Sequence, residues 1–386
     1  MQRTGRFCVV IAAGLLLLHC GSRTGFEDLS PVHDGGPPGD GAPPEVGSPD
    51  APLVEASPCA PAPGGGTAIA SFSTEVISID LAVMGGTVYA GTTAIGENGP
   101  LYVGAIAGVP SGGGTPQSLV APEFNFGSVA SDGERLYYPQ SSGKPTGPNG
   151  AIYTVLGLAS IDLATGTVHP ITPPAPPRST SSNLNSYMIA ATPAWPGVYW
   201  VGAPTGANGA GTLSAWDPKS DTVTTIATGE DLSGLAVDAS GIYWADVGGG
   251  QGITVYRSPL GGGEPLALAK VPGGTHGTLL GVSSSDVVFV TDYATAAIAA
   301  VSKTGGPVRP LVTAMSAWVN AFAWVDDSYL YWTEPRDPTT LKRIPGAGGS
   351  IQVVPTKGQI QSLAFDACNI YIGSIGPSQV VAQPRM

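Results

Sequence analysis

Charge is scarce in this chain of 386 residues: only 11% are Asp, Glu, Lys or Arg, under half the share of about 25% usual in globular proteins. What charge there is leans acidic, with 16 basic residues against 28 acidic and a formal net charge of −12. A surface this acidic repels a phosphate backbone, which argues against nucleic acid as a partner. Histidine and cysteine are rare too, four of each. His19 and His33 fall near the start of the chain, so only His169 and His276 belong to the repeat region. There is no Gly-x-Ser-x-Gly elbow, no His-Glu-x-x-His pair, no Cys-x-x-Cys pair and no complete EF-hand loop. A His/Cys zinc site is thereby excluded, and no catalytic residue, metal site or cofactor is expected.

Long apolar runs are absent except at the start. Arg3 and Arg6 precede a run from Phe7 to Leu18, too short to favour a spanning helix. The run ends Leu17-Leu18-His19-Cys20-Gly21. Residues 1–20 resemble a bacterial lipoprotein signal, which implies lipidation of Cys20 at a new N-terminus, outside the cytoplasm on the cell envelope. His19 stands where that signal has a small residue, so ordinary secretion or an uncleaved anchor stays open. Residues 21–65 are mostly Pro, Gly, Asp, Ala and Ser. They cannot bury enough apolar surface to offset their ordering entropy, and read as a disordered tether.

What the chain has in abundance is glycine, 56 residues, with 37 prolines, many of them at regular turn positions. A hydrophobic-Tyr-aromatic step recurs at Tyr89, Tyr137, Tyr199, Tyr243, Phe289, Tyr331 and Tyr371; subtracting successive positions gives 48, 62, 44, 46, 42 and 40. Short strands and Gly-rich turns at this period predict an all-β fold: residues 66–386 as a seven-bladed propeller of four-stranded antiparallel blades. In blade four, Leu235–Val237, Ile242–Asp246, Ile253–Pro259 and Pro265–Ala269 are the expected strands. Before each step lies a triad whose centre is small: Ala82, Ala130, Ala190, Ala236, Gly281, Ala323 and Ala364. These triads mark the innermost strands, where neighbouring sheets converge and a larger side chain would overpack. Gly112–Gly114, Gly261–Gly263, Gly305-Gly306 and Gly348-Gly349, with Asp162 and Asp217, occupy the outer hairpin turns.

Tyr243-Trp244-Ala245-Asp246 with Val255-Tyr256-Arg257-Ser258-Pro259-Leu260-Gly261-Gly262 resembles the YWTD repeat of low-density-lipoprotein-receptor propellers. Leu330-Tyr331-Trp332-Thr333-Glu334 with Leu341-Lys342-Arg343-Ile344-Pro345 is similar to it as well. The resemblance implies an extracellular binding module, although those domains have six blades and seven steps are present here. Of the acids that follow the steps, Asp246, Asp292 and Glu334, structural hydrogen bonds between blades are expected rather than metal binding.

The seventh copy has sequence for three strands only, the last near Gln379 to Gln383. A spare strand, Thr67 to Ser73, precedes the first triad and is expected to complete blade seven as its outermost strand, removing an open edge. With Cys8 and Cys20 in the signal, Cys59 and Cys368 remain. In an exported protein they suggest a disulfide stapling the ring, with two unpaired thiols as the alternative.

Four residues before each triad stand Ile77, Asn125, Asn185, Asp231, His276, Trp318 and Gln359. This column is expected to ring one mouth of the central channel, below the longest loops. Its polar members are the candidate binding residues for a protein, glycan or small polar ligand, with the protein acting as a monomer that touches membrane only through its lipid. The plain alternative is a solvated rim. A second alternative is a lactonase- or esterase-like hydrolase with a channel metal, which rests on analogy with other propellers alone.

Overall fold

The computed structural model describes residues 66–73, 76–95, 102–123, 128–141, 155–172, 188–202, 210–248, 252–272, 277–292, 297–313, 323–334 and 337–385. They form seven four-stranded antiparallel sheets. Blade four shows the pattern: Leu232–Asp238 innermost, then Gly241–Asp246, Ile253–Ser258 and Leu266–Val271. Alternation sends one face of each strand towards the preceding blade and the other towards the next. Seven apolar clusters fill the seven gaps; the one between blades four and five holds Tyr243, Val255, Leu279, Val287 and Phe289.

Blade seven has the expected order, with Gln359–Phe365 innermost and Thr67–Ser71 outermost, paired with Gln379–Pro384. Its inner strands pack on the inner strand of blade one, Val76–Met84, which closes the ring. The gap there is filled by Ile79, Val88, Tyr371 and Val380.

Strand register corrects two entries of the repeat. In six blades the step residue is a Tyr that faces the next blade. In blade five Gly281 pairs with Val288, because a bulge at Leu280 separates it from the Leu279–Phe289 pair. Val288 therefore takes the Tyr position and faces blade six, whereas Phe289 points back towards blade four. In blade six Trp324 pairs with Tyr331, so the triad is Ala323-Trp324-Val325 and its centre is a tryptophan. Trp324 joins the cluster between blades six and seven, where the Tyr331 and Phe365 rings lie 5.2 Å apart.

Elsewhere the crowding is as expected. A Cβ on Gly281 would lie 3.0 Å from the Cβ of Val325. Gly234 is more constrained: its φ is +73°, and a Cβ would fall 2.3 Å from the carbonyl oxygen of Leu279 in the next blade. The outer Gly turns also hold the left-handed backbone they need, as at Gly113, Gly262, Gly305 and Gly348. Asp162 caps its turn by accepting the N–H groups of Ala164 and Thr165 at 3.1 and 2.8 Å.

Candidate functional site: the face where the inner strands begin

Every blade runs in the same sense, so the N-terminal ends of the inner strands share one face of the ring. Ile77 is the second residue of the blade-one inner strand, Asp231 immediately precedes that of blade four, and Gln359 opens that of blade seven. Ile77 and Asp231 are half-buried and Gln359 is exposed. Asn125, Asn185, His276 and Trp318 lie outside the described residues. Counting from the corrected triad, the matching position in blade six is Val319 rather than Trp318; it too lies outside them.

The backbone of Asp231 is held at both ends. Its N–H donates to Asp246 Oδ1 at 3.1 Å, and its carbonyl accepts the N–H of Val247 at 3.1 Å. Gly229 leaves room for this carboxylate, since a Cβ there would fall 2.5 Å from Asp246 Oδ2. The acid after the blade-four step thus fixes a rim residue of its own blade, and Glu334 likewise bonds Lys342 of its own blade at 2.5 Å. These two bonds each lie within one blade. The side chain of Asp292 is outside the described residues. Among the described residues no three His, Cys, Asp or Glu side chains cluster as a metal site would require.

One charged group on the inner strands escaped the sequence reading. Asp80 precedes the blade-one triad, and its carboxylate accepts the N–H of Leu81 at 3.0 Å and, across the blade boundary, of Val129 at 3.3 Å. Burial pushes its pKa up to about 6, and the two hydrogen bonds hold it from rising further. The matching residue is Ser128 in blade two, Met188 in blade three, Gly234 in blade four and Ser362 in blade seven, so no periodicity points to it.

The two faces differ in construction. On the rim face the chain leaves at Ser141 and returns at Val155, and again at Gly202 and Gly211; it crosses between blades from Ile171 to Ile189. In the last blades the corresponding gaps shrink, to Glu334–Asp337 and Ile375–Gln379. On the opposite face the first hairpin of each blade is tight, as between Asp238 and Gly241 or Phe365 and Asn369. Three of these turns share a lock with a sequence signature that the step alone conceals, an Asp five residues before the Tyr. Asp132, Asp326 and Asp366 each accept two turn N–H groups through Oδ1. Their Oδ2 atoms accept the hydroxyls of Tyr137, Tyr331 and Tyr371 at 2.5, 3.1 and 2.6 Å. Burial, reinforced by the adjacent carboxylate, pushes the Tyr371 phenol up to about 12 and raises the other two as well. These tyrosines remain protonated donors. In blade four Tyr243 bonds Ser240 instead, at 2.7 Å, and Asp238 pairs with Lys303 of blade five.

His169 lies on the outer strand of blade two. Its ring stacks on Trp216 of blade three at 5.3 Å, and its Nε2 lies 3.2 Å from Asp221, which also accepts Trp216 Nε1–H at 2.9 Å. Cys368 sits in the first turn of blade seven, where its N–H donates to Asp366; Cys20 and Cys59 lie outside the described residues.

Comparison with known proteins finds likeness in fold. No family model matches the chain, and no curated protein does. The β-propeller domain of the trilobed protease from Pyrococcus furiosus, which has an open velcro topology, aligns over 79% of this chain and 94% of that one, with TM-score 0.54 and 13% identity. Acylaminoacyl peptidase from Pyrococcus horikoshii aligns over 80% of this chain with TM-score 0.55 and 10% identity, and this chain spans 52% of its length. A nidogen/laminin complex aligns over 58% of this chain and 76% of that one, with TM-score 0.39 and 15% identity. At these identities what the chain shares with the two Pyrococcus proteins is fold alone.

Proposed function

We propose that this protein is a lipid-tethered, extracytoplasmic propeller that binds a protein, glycan or small polar ligand on the face where its inner strands begin. The observation that carries this reading is the asymmetry of the two faces. One face is tied down by Asp-capped turns and buried Tyr–Asp bonds, whereas the widest gaps between strand ends in blades two and three fall on the other. Binding residues concentrate on long connections held by a rigid scaffold. Asp231, with its backbone fixed and its side chain half-buried, is the best-defined group at that rim. Asn125, Asn185, His276, Trp318 and Gln359 complete the proposed set.

The address rests on residues 1–20, with Cys20 as the lipidated residue and residues 21–65 as the tether. In the staple we assign, Cys59 pairs with Cys368. Its support is the approach of the chain at Thr67 to Ala382, close to the Pro384–Asn369 pair beside Cys368.

The test is a full-length chain carrying Asn185→Ala, Asp231→Ala, His276→Ala and Trp318→Ala, screened beside wild type against envelope glycans and secreted proteins. Loss of a wild-type interaction of at least about tenfold is expected. An interaction that survives all four changes moves the site elsewhere. Cell fractionation of Cys20→Ser checks the anchor: release from the membrane is expected, and unchanged membrane association would refute lipidation at Cys20.

A further inference from the structure

Between blades six and seven, at the outer half of the ring, the sheets part over a cavity of about 450 Å³. The cause is a short strand. The outermost strand of blade six, Gln352–Val354, has three residues, against eight in Thr222–Gly229 of blade three. It stops before covering the face that blade seven turns towards it. Three residues in register run outward across that face: Ile372, buried in the cluster between the two blades, pairs with Val381, and Val381 with the exposed Ala68. Gln379 and Gln383 flank the row, and Lys357 stands exposed at the lip, on the crossover from blade six. Lys357 makes no ion pair among the described residues.

We propose that this groove is a binding site for a small amphipathic carboxylate, its aliphatic chain over Val381 and Ala68 and its acid group on Lys357. The volume falls within the range of small-molecule sites, which are apolar with a few polar groups at fixed places. The head group follows from charge. On a chain of net charge −12, Lys357 is an exposed lysine with no ionic partner among the described residues, set beside an apolar floor. A cation has no acid to meet among the groove residues. This site lies at the outer edge of the ring, away from the channel rim, and stands independently of the rim reading.

The position has a consequence for the fold. Ala68 comes from the first strand of the ring and Val381 from the last, so a ligand on both holds the seam shut. Binding to the closed ring alone raises the melting temperature by linkage.

Calorimetric titration of the full-length protein with sodium decanoate below its micellar range, with thermal melts, tests this. One-to-one binding and a raised Tm are expected, with decan-1-ol and decylammonium chloride weaker by about tenfold or more. Lys357→Gln, an exposed change that leaves the fold alone, should weaken decanoate about tenfold; Ala68→Trp, which fills the groove, should abolish binding. Absence of saturable binding, equal affinity for decan-1-ol or decylammonium, or decanoate affinity unchanged in either variant would overturn the proposal.

Discussion

Asp80 shows how much a single residue can carry in a chain so poor in charge. Its carboxylate sits on the innermost strand, with its pKa raised from 3.8 to about 6 by burial. The folded state therefore binds the proton more tightly than the unfolded chain does. Stability from the protonated acid is fully present below about pH 4 and is lost as pH rises through about 6. Asp80→Asn should remove that slope. Urea unfolding at pH 4, 5, 6 and 7 should show the variant gaining about 1–3 kcal/mol over wild type between the two ends of the range. Parallel curves would mean that Asp80 does not titrate there. Nothing in the one-dimensional pattern marks this residue. Its counterparts are Ser128, Met188 and Gly234, and its shift arises from burial, which only the folded ring supplies. The Tyr–Asp locks are the opposite case: the five-residue spacing of Asp132–Tyr137, Asp326–Tyr331 and Asp366–Tyr371 stands in the sequence, but its meaning, a turn cap joined to a buried phenol, needs both ends of a hairpin in view.

At the scale of elements, the strands were legible because turns punctuate them, and the register was less so. The expected blade-four strands differ from those observed by up to three residues at their ends. A bulge at Leu280 was invisible, since alternation continues on either side of it and Val288 and Phe289 are equally apolar. The Trp324 register was hidden because Ala323 satisfied the small-residue pattern one position early. Last-strand chemistry shows the same dependence on contact. Arg385 reaches from blade seven to Asp326 of blade six at 3.1 Å, while its other guanidinium nitrogen donates to the carbonyl of Asp366 at 2.7 Å. Asp326 is almost wholly buried and also holds Tyr331. Arg385→Ala leaves that carboxylate without its cation and is expected to cost about 1–3 kcal/mol, read as a lowered Tm. Arg385→Lys should restore part of it, because lysine keeps the charge and loses the fork. A melting temperature unmoved by Arg385→Ala would show the pair to be energetically idle.

For the whole molecule, closure is the central event, because an open array would expose the edges of its first and last sheets. Blade seven is built from both ends of the chain, Thr67–Ser71 and Gln359–Pro384, so chain-end contacts govern the ring. If Cys59 and Cys368 form the proposed staple, peptide mapping without reductant should yield their cross-linked fragment. Cys368→Ser should lower stability by about 2–4 kcal/mol, less than the chain-entropy model assigns to a loop of about 300 residues. Two free thiols in the mature protein would dismiss the staple. The sequence alone determined the repeat, the number of blades, the small centres of most inner strands and the strand that seals the ring. Those follow from periodic burial and from turn chemistry, which are local properties. Tertiary structure decided which face of blades five and six each aromatic takes, which carboxylate is desolvated, and where two sheets part to leave a groove. Those depend on register and on the length of a neighbouring strand, and both are relations between residues far apart along the chain.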